Sequence, residues 1–293
     1  MKTYLDCYPC FIRQTLEALR IARQNEAVQK KALIEAMEHL REMDLNASPP
    51  RQAQVIHRRI RELTGLKDPY ADIKLEHNTE LLRMEPTLMK HVMDSPDPLK
   101  EALKLAGACN AIDMGPNRSW KRAEELFDQL MNPLLGRFEF DHFEKRLSSA
   151  KTMLYIADNA GEIVGDKILL SVLKKRTDMD ITFVVRGAPI LNDATLEDAK
   201  MVGIDQMAKV ITTGSDCPGV ILPDCPRELD VAFDQADLIL SKGQGNYETL
   251  NQEEKDIFFL LQVKCDIVAK DLQSEMGKII LQWKPDTSRS DHL

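Results

Sequence analysis

The sequence is poor in several features that mark specialised classes of protein. In 293 residues there are 39 Lys and Arg against 47 Asp and Glu, which gives a formal net charge of −8. Without a cationic surplus, a chain cannot neutralise nucleic-acid phosphates by charge alone, so we expect no nucleic-acid partner. Only six cysteines occur, which is too few for a disulfide scaffold in a chain of this length.

Long apolar runs are missing as well. No stretch approaches the roughly 18 consecutive apolar residues that span a bilayer, and the opening residues MKTYLDCYPC lack the apolar segment of a secretory signal. We therefore expect a cytoplasmic protein with no membrane partner. The composition, 43% apolar and 29% charged, is that of a soluble globular chain. Its length predicts about two compact units.

Motifs of three common enzyme classes are also absent. No G-x-x-x-x-G-K-[ST] loop occurs, which argues against a nucleoside triphosphatase. The lone Gly243-Gln244-Gly245 does not continue as a dinucleotide-binding pattern, because Glu248 stands at the sixth position. The five histidines that precede residue 148 show neither H-E-x-x-H nor another paired ligand spacing, so none of them enters the predicted site: His39, His57, His77, His91 and His142.

What is present divides the chain into two halves of different periodicity. In the first half, apolar residues such as Ile12, Leu16 and Leu19 recur at the spacing of an amphipathic helix, and Pro49-Pro50 separates two such stretches. We predict an all-helical domain over residues 1–148. Residues 284–293 are polar, and we predict a flexible tail there.

The second half alternates short apolar runs with helical segments, which is typical of βαβ units and a parallel sheet. We predict an α/β domain over residues 149–283, binding metal and phosphate. Its predicted strands are 153–157, 181–185, 210–212, 237–241 and 257–263, and the helices between them are 163–175, 195–202 and 226–236.

Ligands of open parallel sheets bind beyond the carboxyl ends of the strands, and the residues at these ends are unusually polar here. Asp158, Asn159 and Asp193 offer only oxygen ligands, which suits Mg²⁺ or Mn²⁺ better than zinc. An Asp-Asn pair after a strand is also common as a turn or helix cap. The remaining strand-end candidates would bind substrate or phosphate: Glu162, Arg186, Lys242, Gly243, Asn246 and Lys264.

These residue types predict a chemistry. A divalent ion would polarise a phosphoryl oxygen and lower the pKa of a bound water, while Lys242 and Lys264 neutralise charge on the transferred group. Gly243 would let backbone N–H groups approach the phosphate. Asp158 could instead attack phosphorus itself; we favour water, because Asp158 is more useful as a metal ligand.

Four segments, taken in order, resemble motifs of the damage-control phosphatase family, which was formerly classed as a domain of unknown function: Asp158-Asn159-Ala160-Gly161-Glu162, Arg186-Gly187-Ala188-Pro189-Ile190-Leu191-Asn192-Asp193, Lys242-Gly243-Gln244-Gly245-Asn246-Tyr247-Glu248 and Val263-Lys264-Cys265. Cys7-Tyr8-Pro9-Cys10 is similar to the prokaryotic subfamily, and Asn110-Ala111-Ile112-Asp113 resembles the Asn-x-x-Asp element of the family.

The resemblance implies a helical domain beside a Rossmann-like α/β/α domain, and metal-dependent hydrolysis of phosphate monoesters of small metabolites, such as sugar phosphates. It implies Asp158, Asn159 and Asp193 as metal ligands, with Lys242 and Lys264 near the phosphate. Asn110 and Asp113 would reach the site from the helical part. The family's usual ions are Mn²⁺, Co²⁺ or Ni²⁺, whereas oxygen ligands alone indicate Mg²⁺.

Two other functions stay open at the level of sequence. A Rossmann-like methyltransferase could use Asp193 to contact a ribose, although its first loop should be richer in glycine. A non-catalytic module could bind a phosphorylated metabolite and regulate a partner. Cys7 and Cys10 are open in the same way, since the C-x-x-C pair can be structural, a regulatory thiol pair or part of a metal site.

Overall fold

The computed structural model describes residues 1–110 and 123–284, and only the backbone of residues 123–125. These ranges form twelve α-helices and seven β-strands: α1 Cys7–Ile21, α2 Glu26–Arg41, α3 Pro49–Thr64, α4 Ala71–Asp94, α5 Pro98–Cys109, α6 Ala123–Met131, β1 Leu135–Phe138, α7 Phe140–Leu147, β2 Thr152–Ile156, α8 Glu162–Arg176, β3 Asp180–Val185, α9 Leu196–Val202, β4 Lys209–Thr212, α10 Arg227–Gln235, β5 Leu238–Lys242, α11 Gln244–Leu250, β6 Ile257–Gln262, α12 Asp266–Asp271 and β7 Ile279–Lys284.

Local chemistry determines where α2 begins and where α3 begins and ends. The side chain of Asn25 accepts a hydrogen bond from the Val28 N–H and caps α2. Helix α3 begins with Pro49 and is terminated by Gly65, which directly follows Thr64 and has a φ of 68° that β-branched residues do not tolerate. The three helices enclose a small apolar core of their own: Phe11, Ala18, Leu19, Ala32, Leu40, Ile56 and Ile60.

The seven strands form one sheet in the order β1-β7-β6-β5-β2-β3-β4. The five strands β6, β5, β2, β3 and β4 are parallel. Strand β7 runs antiparallel to β6 and parallel to β1. The α/β fold class with a mostly parallel sheet is therefore confirmed.

Helices cover both faces of the sheet. Alternate strand residues face opposite sides: Tyr155 and Phe183 pack under α4, α5 and α8, whereas Leu154 and Val184 pack under α10, α11 and α12. Because both faces are buried, these strands read as continuous apolar runs in the sequence.

Two strands depart from the sequence-based expectation. Leu135–Phe138 lies in the stretch predicted to be all helical, but forms β1 and pairs with β7. Strand β7 was not predicted, and it includes Lys284, which was assigned to the tail. Residues 285–293 of that predicted tail lie outside the described residues. The domain boundary at residue 148 stays a prediction, and α4 and α5 from its helical side share a core with the sheet.

In the part of the chain that the structure describes, no helix is both long and apolar enough to cross a membrane.

Candidate functional site

The site lies where the connectivity of the sheet reverses. From β2 the chain continues outward to β3 and then β4, whereas β5 and β6 lie on the opposite side of β2. Such a switch point leaves a crevice beyond the carboxyl ends of the two central strands. Here those ends are followed by Asp158 after β2 and by Gly243 after β5.

The loops after β2 and β3 meet beyond the sheet edge. Asn159 and Asp193 form an isolated antiparallel bridge. The Ala160 N–H donates to the Asn192 carbonyl at 2.8 Å, and the Ala194 N–H donates to the Asp158 carbonyl at 2.8 Å. The structure therefore brings together Asp158, Asn159 and Asp193. Asp158 and Asp193 are 35 positions apart in the sequence.

Beside Asn159 and Asp193, two amide side chains each donate hydrogen bonds to the same two carboxylates. The Asn159 Nδ2 donates to Asp158 Oδ2 at 2.7 Å and to Glu162 Oε2 at 3.0 Å. The Asn110 Nδ2 donates to the same two oxygens, at 2.9 and 2.8 Å. Each amide nitrogen has two protons, so both are fully used. Asp158 Oδ1 and Asn159 Oδ1 accept no hydrogen bond from the described residues.

Asn110 reaches this position because α5 packs very closely on α8. A Cβ atom on Gly165 would lie 2.7 Å from the Cys109 Sγ, so only glycine permits that approach. Asn110 follows directly after α5, and its Oδ1 accepts a hydrogen bond from the Gln262 N–H at 3.0 Å. The structure thus places Asn110 beside the strand-end cluster, and its role in binding substrate stays a prediction. Asp113, its predicted companion, lies outside the described residues.

Arg186 joins the two aspartates from beneath. Its Nε donates to Asp193 Oδ2 at 2.6 Å, and its Nη2 lies 3.7 Å from Asp158 Oδ1. The side chain is 1% exposed, yet neither Nη1 nor Nη2 has a hydrogen-bond partner among the described residues. Buried guanidinium donors without acceptors are unfavourable, and a bound anion is the natural acceptor for them.

Lys242 is placed differently from the sequence-based expectation. Its ammonium group is fully buried and donates to Glu162 Oε1 at 2.6 Å, Asp166 Oδ1 at 2.7 Å and the Ala106 carbonyl at 3.0 Å. These three acceptors use all of its protons. Direct contact between Lys242 and a phosphate stays a prediction, and it would require one of these hydrogen bonds to break.

Gly243 and Asn246 also act on the protein rather than facing an open pocket. Gly243 has a φ of 80°, and a Cβ atom there would lie 2.0 Å from Asp158 Oδ2. Its N–H donates to the Leu260 carbonyl at 3.2 Å. The sequence led us to expect this N–H near a phosphate, but it is already engaged within the protein. The buried Asn246 amide donates to the Ala157 and Lys242 carbonyls, at 3.0 and 2.7 Å.

Lys264 is the exposed cation at the rim of the site. Its backbone N–H donates to Gln244 Oε1 at 3.1 Å. Its ammonium group lies near enough to Asp158 and Glu162 to favour the ionised form of both carboxyls. Of the two predicted lysines, Lys264 is therefore the one whose charge is available to a ligand from solvent.

The buried charges of the site do not balance. Four carboxylates share the cluster with two cationic groups, Arg186 and Lys242, and the set carries an excess of two negative charges when all are ionised: Asp158, Glu162, Asp166 and Asp193 are the acidic members. Such an excess in a desolvated place is costly unless a cation compensates it.

The pKa values reflect this imbalance. Burial, with the adjacent Glu162 and Asp193 carboxylates, raises the pKa of Asp158 to about 7. Burial raises the pKa of Asp166 to about 6 and also raises that of Asp193, despite their cationic partners. Burial opposes ionisation of Glu162 as well, but Lys242 holds the pKa of that carboxyl below its usual value.

The residues present suit a hard divalent cation with few protein ligands. The two aspartates and the asparagine each keep one oxygen, Oδ1, without a hydrogen bond from the described residues, and hard cations prefer such oxygens. Among the residues described, no group of three or more His, Cys, Asp and Glu side chains is arranged to hold a metal ion. The candidate set is therefore two carboxylates and one amide, with water completing the shell.

Sequence reasoning missed three residues of this region. Asp166 accepts hydrogen bonds from Lys242 and from the Tyr155 hydroxyl, the latter at 2.6 Å. Asn78, on α4, accepts from the Gly161 N–H at 2.6 Å and so holds the start of α8. The i, i+4 spacing of Glu162 and Asp166 on a predicted helix was the available signal for Asp166. No signal in the sequence pointed to Tyr155 or Asn78.

Comparison with known proteins relates the chain to one family. The family model "Damage-control phosphatase ARMT1-like domain" matches residues 3–280. An uncharacterised protein of Methanocaldococcus jannaschii is 37% identical over 288 residues, covering 94% of this chain and 93% of its own. A damage-control phosphatase of Archaeoglobus fulgidus is 34% identical over 287 residues, covering 96% and 98%.

A solved structure extends the comparison to three dimensions. The crystal structure of a DUF89 family protein from Pyrococcus horikoshii superposes on this chain with a TM-score of 0.88 at 30% sequence identity. The superposition covers 96% of this chain and 99% of the other. The two chains therefore have the same fold over nearly their whole lengths.

Proposed function

Because the chain belongs to the ARMT1-like damage-control phosphatase family, we propose that it is a metal-dependent phosphatase of small phosphorylated metabolites, sugar phosphates among them. The observation that carries the proposal is the unbalanced buried cluster at the switch point of the sheet. It combines unpartnered carboxylate and amide oxygens, which suit a divalent cation, with unpartnered guanidinium donors, which suit a phosphate.

The proposed metal ligands are Asp158, Asn159 and Asp193, each through its Oδ1 atom. Ligand chemistry favours Mg²⁺ or Mn²⁺ here, whereas the resemblance to the family favours Mn²⁺, Co²⁺ or Ni²⁺. When bound, such an ion would polarise a phosphoryl oxygen and lower the pKa of water.

Arg186 and Lys264 are the proposed phosphate-binding residues. The Nη1 and Nη2 atoms of Arg186 are buried without partners and can donate to two phosphate oxygens in a fixed geometry. Lys264 is exposed at the rim, where its charge attracts a phosphate dianion from solvent. Substrate charge would thus be compensated by both cations.

Asp158 is better suited to binding an ion than to attacking phosphorus. Its Oδ2 accepts hydrogen bonds from two amide groups, those of Asn110 and Asn159. These donors reduce the nucleophilicity of that oxygen and fix the orientation of the carboxylate. We therefore propose that water, rather than Asp158, attacks the ester.

An activity assay with matched variants tests the proposal. The purified protein is incubated with p-nitrophenyl phosphate and a panel of sugar phosphates, with Mn²⁺, Co²⁺, Ni²⁺ or Mg²⁺, and again after chelation. Asp158→Asn and Asp193→Asn are compared with Asp216→Asn, which changes a buried aspartate outside the cluster. We expect metal-dependent phosphate release that falls at least about 100-fold in the first two variants only.

Other outcomes point to other functions. Tight binding of a sugar phosphate without turnover under any metal would favour a regulatory binding module. Transfer of a labelled methyl group from S-adenosylmethionine would favour a methyltransferase. Phosphate release that survives both chelation and the Asp158→Asn change would contradict the metal-dependent mechanism.

A further inference from the structure

A chain of four buried polar side chains lies beneath the proposed metal ligands. It runs from the Tyr155 hydroxyl on β2 through Asp166 on α8 and Lys242 at the end of β5 to Glu162 in the first turn of α8. All four side chains are at most 1% exposed and are hydrogen-bonded within the protein, unlike Arg186, whose Nη1 and Nη2 atoms have no partner among the described residues. Their effect on the site must be transmitted through hydrogen bonds.

The first part of this chain fixes Lys242. Asp166 Oδ1 accepts two hydrogen bonds, from the Tyr155 hydroxyl at 2.6 Å and from Lys242 Nζ at 2.7 Å. Lys242 Nζ also donates to Glu162 Oε1 at 2.6 Å. The ammonium group is therefore held between two carboxylates, and the Tyr155 hydroxyl donates to the same Asp166 oxygen that faces it.

The second part connects Glu162 to the metal ligands. Lys242 occupies Glu162 Oε1, and this leaves Oε2 to accept from the amides of Asn110 and Asn159, at 2.8 and 3.0 Å. Both amides donate their second proton to Asp158 Oδ2. With both protons of Asn159 Nδ2 used, the amide plane is fixed and its Oδ1 is left for an ion.

Asp166 is difficult to explain as a stabilising residue. Its Oδ2 is buried and has no hydrogen-bond partner among the described residues. A buried carboxylate oxygen without a donor is unfavourable, and buried ion pairs are often no more stable than apolar side chains of the same size. The carboxylate therefore calls for an explanation other than fold stability.

We propose that Asp166, supported by Tyr155, is a positioning residue for the metal ligands. It holds Lys242 against Glu162, and Glu162 orients the Asn110 and Asn159 amides beside Asp158. The inference rests on the proposed function, but concerns the geometry of the ligands rather than the identity of the substrate. Hydrogen bonds that orient metal ligands in this way typically change metal affinity by about 10- to 100-fold.

The test measures Mn²⁺ binding by the full-length protein without substrate, by electron paramagnetic resonance of free Mn²⁺, together with kcat and KM for p-nitrophenyl phosphate. Asp166→Asn should bind Mn²⁺ at least about 10-fold more weakly and lower kcat, with little change in KM. Tyr155→Phe should shift both in the same direction by roughly 3-fold. Tyr247→Phe is the matched control, since it removes another Tyr–Asp hydrogen bond, to Asp271, away from the cluster.

Each result decides one point. Mn²⁺ affinity of Asp166→Asn within about 2-fold of the wild type would overturn the positioning role. If that variant does not fold, Tyr155→Phe decides in its place: weaker Mn²⁺ binding supports the role, and unchanged affinity overturns it. A wild-type protein that binds Mn²⁺ but releases no phosphate would contradict the proposed function, while the comparison of Mn²⁺ affinities would still test Asp166.

Discussion

Two charged clusters join distant parts of this chain, and they differ in burial and in charge balance. The sheet-edge cluster consists of four carboxylates and two cationic groups: Asp158, Glu162, Asp166, Asp193, Arg186 and Lys242. The second cluster, which we call the α3 clasp, has one carboxylate, Asp216, which accepts hydrogen bonds from the α3 residues Arg58, Arg61 and Gln54. The sheet-edge cluster has more carboxylates than cationic groups, whereas in the α3 clasp three side chains donate hydrogen bonds to a single carboxylate.

The pKa values of the two clusters move in opposite directions. Burial works against ionisation of Asp216, but hydrogen bonds from Arg58, Gln54 and Arg61 hold its pKa well below the ordinary range. Burial and neighbouring carboxylates raise the pKa of Asp158 to about 7. The α3 clasp joins α3 to the loop after β4, whereas the unbalanced sheet-edge cluster suits the ligand that we propose for it.

The largest effect is expected from removing the cation at the centre of the sheet-edge cluster. Lys242→Met leaves Glu162 and Asp166 buried without their shared partner, which should cost about 4 kcal/mol of unfolding free energy. Urea denaturation measures the change. The double variant Lys242→Met/Asp166→Asn should recover part of the loss. A loss below about 1 kcal/mol in the single variant would show that the carboxylates are not coupled to Lys242.

Lowering the pH should reduce the unfolding free energy through His57 on α3 before Asp216 of the clasp becomes protonated. Burial, with Arg61 nearby, lowers the pKa of His57 from 6.5 to about 4. Because the folded-state pKa is the lower one, this stability is fully present above pH 6.5 and is lost as the pH falls toward 4. The loss should reach about 3 kcal/mol for His57.

Unfolding free energies at several pH values between 7 and 4 test this expectation, with His57→Gln as the comparison. Burial also lowers the pKa of His77 on α4 to about 4, so the variant should keep part of the slope. A wild type and a variant with the same pH slope would contradict the assignment to His57. The clasp carboxylate stays ionised throughout this window, because its pKa lies below it.

Two glycine substitutions compare the sheet edge with an open surface. Gly243→Ala places a Cβ atom 2.0 Å from Asp158 Oδ2 at a φ of 80° and should displace that carboxylate, lowering kcat at least about 100-fold. Gly203 has a similar φ of 82°, but a Cβ atom added there in Gly203→Ala would meet no other part of the described chain within 4 Å. It should cost some stability through backbone strain and leave kcat unchanged. Equal kcat values for the two variants would contradict the close approach.

The smallest effect is expected from the clasp. Asp216→Asn keeps the shape of the side chain but removes the charge that Arg58 and Arg61 share, which should cost about 2 kcal/mol of unfolding free energy. Mn²⁺ affinity should be unchanged, because the clasp lies outside the proposed ligand set. A parallel loss of Mn²⁺ affinity would show that the two clusters are energetically coupled.

The central sheet could be predicted because burial on both faces makes its strands continuous apolar runs. Strands β1 and β7 could not be predicted in the same way. The four residues of β1, LGRF, show no period of their own, and their extended form depends on pairing with β7. That pairing involves residues near 135 and 280, a separation at which local patterns carry no information.

The principle that ligands bind beyond the carboxyl ends of parallel strands was enough to predict that Asp158, Asn159 and Asp193 lie near one another. It could not predict which way Lys242 points, since neighbouring side chains on a strand face opposite sides of the sheet. In the structure Lys242 faces α5 and α8, where Ala106 and Asp166 accept its hydrogen bonds. The orphaned donors of Arg186 are likewise a property of packing and leave no trace in the sequence.

The ion pair between Lys242 and Glu162 closes a loop of 80 residues. During synthesis the acidic residues therefore emerge long before the lysine that compensates them, and β5 must insert beside β2 before the two meet. Closing so long a loop is entropically slow. The proposed ion site should consequently form among the last events of folding, and a partly synthesised chain should lack it.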